Sequence, residues 1–236
     1  TEYMPTAFLH GALAKVAFAM SHDEARYTLN GVYLDLPAGK AIATDGHRMA
    51  LADLDKVNAP AVIVSKKAVA KLRKLLASSG EDRGEFSVNS NSLLYRRSGL
   101  RLVSRLIDGQ FPDYTQVTPK RGKMPVLVER TVLREALSRV MLMTADISSP
   151  VQLAFEGETL TISSRNPEEG DAKDVVKLES DAPDLKLNLN GHYLMDMLNV
   201  ADCKVVEMHL EDDMSPVLVA PEGDTSHTYV LMPMRS

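Results

Sequence analysis

One apolar pattern occurs twice in this chain and dictates most of its organisation. Leu9, Ala12, Leu13 and Val16 recur as Leu133, Ala136, Leu137 and Val140, with Lys15 answered by Arg139. The i, i+3, i+4, i+7 spacing places each set on one face of a helix. A second helix follows in each half. Ser65 can cap a segment bearing Val69, Leu72, Leu75 and Leu76, and Asn190 can cap one bearing Tyr193, Leu194, Met197 and Leu198. At 236 residues the chain is long for one domain and comfortable for two.

Between these helices lie short β-branched or alternating runs that read as strands. They cover residues 27–36, 41–44, 61–64, 85–88 and 100–106 in the first half. In the second they cover 125–128, 151–155, 159–163, 175–178, 185–189, 205–210 and 217–220. Ser78-Ser79-Gly80 ends a helix, with Gly80 suited to a left-handed cap, and Asn166-Pro167-Glu168-Glu169-Gly170 marks a loop. Each half is therefore an α+β unit of two helices among mostly antiparallel strands. Pro112, Pro119 and Gly122 interrupt the pattern between the halves. The expected domains are 1–114 and 115–236.

Composition removes whole classes of function. A hydrophobic content of 44% with 25% charged residues is that of a globular protein. No apolar run approaches the ~18 residues of a membrane span, and no signal-peptide pattern opens the sequence. Cys203 is the only cysteine, which rules out an internal disulfide and multi-cysteine metal sites. The expected setting is a reducing cytoplasm. Thr1 in place of a methionine reads as a processed chain or a fragment. A net charge of −5 argues against a surface that grips nucleic acid everywhere, while leaving room for a local basic strip.

That strip is Lys66, Lys67, Lys71, Arg73 and Lys74, a run of cations without an acid. It reads either as a solvated helix face opposite Val69, Leu72 and Leu76 or as a phosphate-facing surface. Asp45 and His47 could form an acid–base pair, since a carboxylate can orient an imidazole. No nucleophile motif accompanies them, and Gly46 suits a plain turn. The six histidines are scattered without metal-ligand spacing, and no Gly-rich phosphate loop is present, so no metal or cofactor is expected. Most of the 12 methionines suit core filling, Met141, Met143, Met195 and Met197 among them. Met232-Pro233-Met234 differs: thioethers beside a ladder-stopping proline suit a surface that accepts varied peptides.

Five segments taken in order carry a resemblance that spans the chain. They are Arg26-Tyr27-Thr28-Leu29-Asn30-Gly31, Ala43-Thr44-Asp45-Gly46-His47-Arg48, Asp108-Gly109-Gln110-Phe111-Pro112-Asp113-Tyr114, Asn166-Pro167-Glu168 and the Met-Pro-Met-Arg ending at Arg235. Together they resemble the second and third domains of the bacterial DNA sliding clamp, the beta subunit of DNA polymerase III. The resemblance implies a non-enzymatic processivity factor whose repeated α+β domains form a ring, sheets outside and helices lining the hole. The family's three-domain subunits close that ring around duplex DNA as a head-to-tail homodimer.

Its partners are double-stranded DNA and, through short Leu/Phe-rich motifs, replicative and translesion polymerases, the clamp loader and repair proteins. The resemblance carries one lobe of a peptide pocket onto Leu29, Thr44, Gly46, His47, Arg48, Met49, Pro112, Val117, Val151, Val230, Leu231 and Met232. The other lobe falls on Asn190, Tyr193, Met214, Pro216, Pro233 and Met234. DNA contacts are expected at Arg26, Tyr27, Lys66, Lys67 and Lys71. Thr28, Gln116 and Pro216 depart from the family pattern and weaken individual contacts. Without a first domain, the chain is expected to be a clamp fragment with its pocket intact and its ring closure compromised. A two-domain ring closed as a trimer is the arithmetical alternative. A small hydrolase using Asp45 and His47 is the rival from another class, and a nucleophile packed against His47 would favour it.

Overall fold

The structure is a computed structural model that describes residues 2–4, 6–77, 84–89, 91–97, 99–122, 124–144, 146, 150–166, 168 and 170–235. It divides into two compact units, Thr1–Asp113 and Tyr114–Ser236. The Ser78-Ser79-Gly80 helix end lies outside the described residues, as do Pro167 and Glu169 of the second predicted loop.

The first unit runs β1 (Glu2–Met4), α1 (Thr6–Val16), β2 (Gly31–Asp35), β3 (Lys40–Thr44) and β4 (Arg48–Asp53). It continues with β5 (Val62–Ser65), α2 (Lys66–Ala77), β6 (Gly84–Val88), β7 (Ser92–Arg97) and β8 (Leu100–Ile107). Its strands lie in the order β1-β6-β7-β8-β5-β2-β3-β4, and each neighbouring pair is antiparallel. α1 packs on β3 and β4, α2 on β2 and β5, and the two helices touch each other. The repeat residues Leu9, Ala12, Leu13 and Val16 are all buried, as the spacing requires. On α2, Val69, Leu72 and Leu76 face the core and Leu75 is half-buried. The Ser65 hydroxyl accepts a long bond from the Ala68 amide at 3.4 Å.

The second unit repeats the helix pattern: β9 (Val126–Glu129), α3 (Arg130–Met141), β10 (Pro150–Asn166), β11 (Gly170–Asn190) and α4 (Gly191–Val200). β12 (Val205–His209), β13 (Val217–Pro221) and β14 (His227–Leu231) complete it. Within it, β14-β13-β12-β9 are consecutive antiparallel neighbours, and β10 pairs with β11. Leu133, Ala136, Leu137 and Val140 are buried against β10, β11 and α4. The Asn190 side chain accepts from the His192 and Tyr193 amides at 2.9 and 3.3 Å, so the predicted cap is made.

Some strand predictions need correction. Residues 27–29 are not strand: Glu24–Leu29 coils as two short 3-10 turns that meet in a kink at Arg26. Asp23 accepts the Ala25 amide at 2.9 Å and the Asn30 amide closes on the Tyr27 carbonyl, overriding a β-prone composition. β1, β4, β7 and β14 were not predicted. The Arg48–Asp53 run is buried from Met49 to Ala52 and so carries no alternation to read. The predicted segments 151–155 and 159–163 form one long strand with register shifts around Gly157, which has φ +54°.

Candidate functional site

The Thr44–Arg48 loop is built by its own side chains. The Asp45 carboxylate accepts the His47 and Arg48 amides at 2.9 and 3.1 Å and the Arg48 Nε at 3.0 Å. Thr44 Oγ1 donates to the Arg48 carbonyl at 2.7 Å and accepts the Gly46 amide at 3.0 Å. Gly46 sits at φ +93°, a conformation that suits glycine. Asp45 therefore closes a turn on Arg48, and the imidazole of His47 stands exposed beside it. An acid–base relay would need that carboxylate on the imidazole.

Arg48 is committed inward. Its Nη2 donates to the Phe18 carbonyl at 3.0 Å, its guanidinium lies 5.2 Å from the Phe18 ring centroid, and its side chain is only 10% exposed. It acts as a wall that rigidifies the loop. Of the other first-unit residues, Leu29 and Met49 are buried, Thr44 is half-buried, and Gly46, His47 and Pro112 are exposed. Phe111, next to Pro112, is buried in a parallel stack on Tyr33, with centroids 4.7 Å apart.

The basic strip has the expected placement on α2. Lys67, Lys71 and Lys74 are exposed, while Lys66 and Arg73 are half-buried. Lys66 Nζ reaches His22 Nδ1 at 2.6 Å, a partner that the strip's own sequence could not reveal. Arg26 donates to the Asp45 carbonyl at 3.1 Å and lies 3.7 Å from Asp23, so one face of it is held by the loop. Tyr27 is 58% exposed, an unusual position for an aromatic ring.

In the second unit, register and one hydrogen bond gather the predicted residues. Val217 pairs with Leu231, so Pro216 and Met232 leave the β13–β14 ladder together at the same end. The Met234 amide then donates to the Asn188 carbonyl at 2.8 Å, laying the tail along β11 just before the α4 cap. Val151 pairs with Leu189, and a Cβ on Gly191 would come within 2.8 Å of Val151 and 3.1 Å of Met141. Asn190, Gly191, Tyr193, Val151 and the 232–234 tail thus share one corner of this unit. Met214 and Met232 are exposed there, at 50% and 42%, with Tyr193, Pro216, Pro233 and Met234 half-buried. Val151, Val230 and Leu231 are buried supports, and Asn190 spends its side-chain oxygen on the helix cap. Val117 is 56% exposed in the segment after the unit boundary.

Sequence reading missed Asn188, Gly191 and Met141 at this corner. Gly191 carried a usable signal, since a glycine in the first turn of a helix marks a close approach. Among the described residues, no group of three or more His, Cys, Asp or Glu side chains could hold a metal ion. No described helix is long and apolar enough to cross a membrane.

Residues 3–113 match the family model of the DNA polymerase III beta subunit, central domain, and residues 115–235 match that of its C-terminal domain. The chain is 32% identical over 237 residues to the beta sliding clamp of Proteus mirabilis, covering 98% of itself and 65% of that relative. It therefore spans just under two thirds of that relative's length. A crystal structure of the DNA polymerase sliding clamp from Pseudomonas aeruginosa with ligand superposes at a TM-score of 0.95 and 31% identity, over 100% of this chain and 66% of the other. The sliding clamp of Bartonella birtlesii bound to griselimycin gives a TM-score of 0.94 at 29% identity, again over 100% and 66%. These likenesses also leave the Asp45–His47 hydrolase without support. The chain belongs to the DNA polymerase III beta subunit family, the bacterial sliding clamps, and its two units are the family's central and C-terminal domains.

Proposed function

We propose that this chain works as a DNA replication processivity factor in the cytoplasm: part of a ring around duplex DNA that tethers polymerases and repair proteins without chemistry of its own. The observation that carries this reading is the superposition of the whole chain on sliding clamps at a TM-score of 0.95. The ring would close by head-to-tail association of full-length, three-domain subunits. Lys66, Lys67 and Lys71 of α2, with Arg26 and Tyr27, would face phosphates in weak, sliding contacts. A topological link needs little affinity, which is consistent with a net charge of −5.

Partners would attach through Leu/Phe-rich peptides. In the second unit these would lie over Tyr193, Met214, Pro216, Val230, Leu231 and Met232, Pro233 and Met234, with Val151 and Asn190 beneath. In the first unit, Leu29, Thr44, Gly46, His47, Met49 and Pro112 would contribute, with Arg48 as a fixed wall; Val117 would add an apolar contact. Exposed thioethers beside prolines supply apolar area that adapts to different sequences. The relative bound to griselimycin supports a ligand-accepting surface in this family.

Calorimetry with a Leu/Phe-rich hexapeptide tests the reading. Affinity is expected in the micromolar range, about 8 kcal/mol, because a flexible peptide must be ordered on docking. Met232→Ala and Tyr193→Ala should each cost about 1–2 kcal/mol. Unchanged affinity in both variants would remove the site and most of the assignment.

A further inference from the structure

A groove in the first unit, separate from the residues assigned above, has the make-up of a ligand site. Strand β8 changes partners along its length. Leu100 to Arg105 pair with β7, where Ser92 faces Arg105, and then Leu106 and Ile107 pair with Val64 and Ile63 of β5. A cavity of about 650 Å³ opens along this crossover, lined by residues of β2, β5 and β8 and by the turn that leads into β7. That volume lies within the usual range for small-molecule pockets.

The two sides of the groove differ in chemistry. Tyr33, Ile63 and Ile107, neighbours across three adjacent strands, supply aromatic and aliphatic surface. Tyr33 is braced from behind by its stack on Phe111, and burial, with the charge of Asp35 second, raises its phenol pKa, so it stays a neutral donor. The opposite rim carries Asn91, Ser92 and Arg105. This rim is pre-set: Asn89 Oδ1 accepts the Asn91 and Ser92 amides at 2.9 and 2.8 Å and the Ser92 hydroxyl at 3.0 Å. The Leu106 amide pins Asn91 through its carbonyl at 3.0 Å. Arg105 is exposed, and its guanidinium has no carboxylate partner among the described residues. Asp108, the acid in the lining, disfavours a ligand with more than one negative charge.

We propose that this groove binds an apolar monocarboxylate, its aryl or branched-alkyl group against Tyr33, Ile63 and Ile107, which are cross-strand neighbours, and its carboxylate on Arg105 and the Asn91 carboxamide. A guanidinium is the side chain best shaped to take a carboxylate in two parallel bonds. The apolar wall supplies contact area, while the rim fixes orientation.

An NMR titration of the full chain with 3-phenylpropionate tests the assignment. Saturable shifts are expected at Ile63, Ile107 and the Arg105 side chain. The neutral amide 3-phenylpropanamide should bind roughly tenfold more weakly, as should the acid to Arg105→Ala, because each removes one charged partner of the bond. Arg101→Ala, exposed on the same strand but outside the groove, should leave binding unchanged. A capped Phe-Glu peptide separates the sources of the ligand: tighter binding than the free acid assigns the groove to a protein partner, weaker binding to a small metabolite, and both support the chemistry. Three results would overturn it: no saturable shift at these residues, equal binding of acid and amide, or equal losses in the Arg105 and Arg101 variants.

Discussion

Gly46 shows how much of the loop rests on one backbone angle. At φ +93° it holds a conformation that L side chains rarely adopt, and a Cβ would lie 2.6 Å from Arg26 Nη1. That guanidinium can swing away, so the backbone angle sets the larger part of the penalty. Gly46→Ala is expected to cost about 1–2 kcal/mol in urea unfolding. It should also loosen the Arg26 bond to the Asp45 carbonyl. Asp45 illustrates the opposite case. Both of its oxygens are engaged, one by the His47 and Arg48 amides and the other by the Arg48 guanidinium, so its worth is structural.

Helix α2 is where the phosphate-strip reading stands or falls. Its apolar face, Ala68, Val69, Leu72 and Leu76, is buried, so the exposed Lys67, Lys71 and Lys74 are free of packing duty and half-buried Lys66 has only its contact with His22. Replacing Lys66, Lys67 and Lys71 together by Ala should leave the fold intact and nearly abolish weak binding to linear duplex. In fluorescence anisotropy at several salt concentrations, the slope of log affinity against log salt should shrink by roughly 0.9 for each phosphate that is no longer neutralised. Parent-like binding by the triple variant would return the strip to a solvated helix face. In the second unit, α3 is tied to β11 by Arg139, whose Nε lies 2.7 Å from the Asp174 carboxylate. That hydrogen bond, the largest influence on it, holds Asp174 below the usual carboxylate range. The tie therefore contributes above the unfolded carboxylate pKa and is lost as pH falls through the lowered folded value. In Arg139→Gln the Asp174 titration, followed by carboxyl carbon NMR, should move back up.

At the scale of the molecule, each unit owns a core. Leu9, Leu13, Val16 and Leu72 are buried in the first, and Leu133, Leu137, Val140 and Leu198 in the second. Leu137 is 0% exposed, so Leu137→Ala should destabilise by about 2–5 kcal/mol through reduced burial and a residual cavity. Hydrogen exchange should show the loss in amides of residues 114–236 and leave those of the first unit protected as before. Equal loss in both units would mean that the chain unfolds as one cooperative block.

What the sequence determined by itself was the local geometry. Helix faces were legible because 3.6-residue periodicity is a property of consecutive residues, and the Asn190 cap because it acts within three positions. The five family segments were legible for the same reason, as short strings in a fixed order. Strands such as β4 escaped because burial on both faces erases alternation, and Tyr27 misled because a neighbouring carboxylate chose its coil. Only tertiary structure could set the Met234 amide on Asn188, bring Val151 beneath Gly191, place His22 on Lys66 and open a groove where β8 changes partners. Each of these joins residues far apart in the chain, through packing and register that no local pattern encodes.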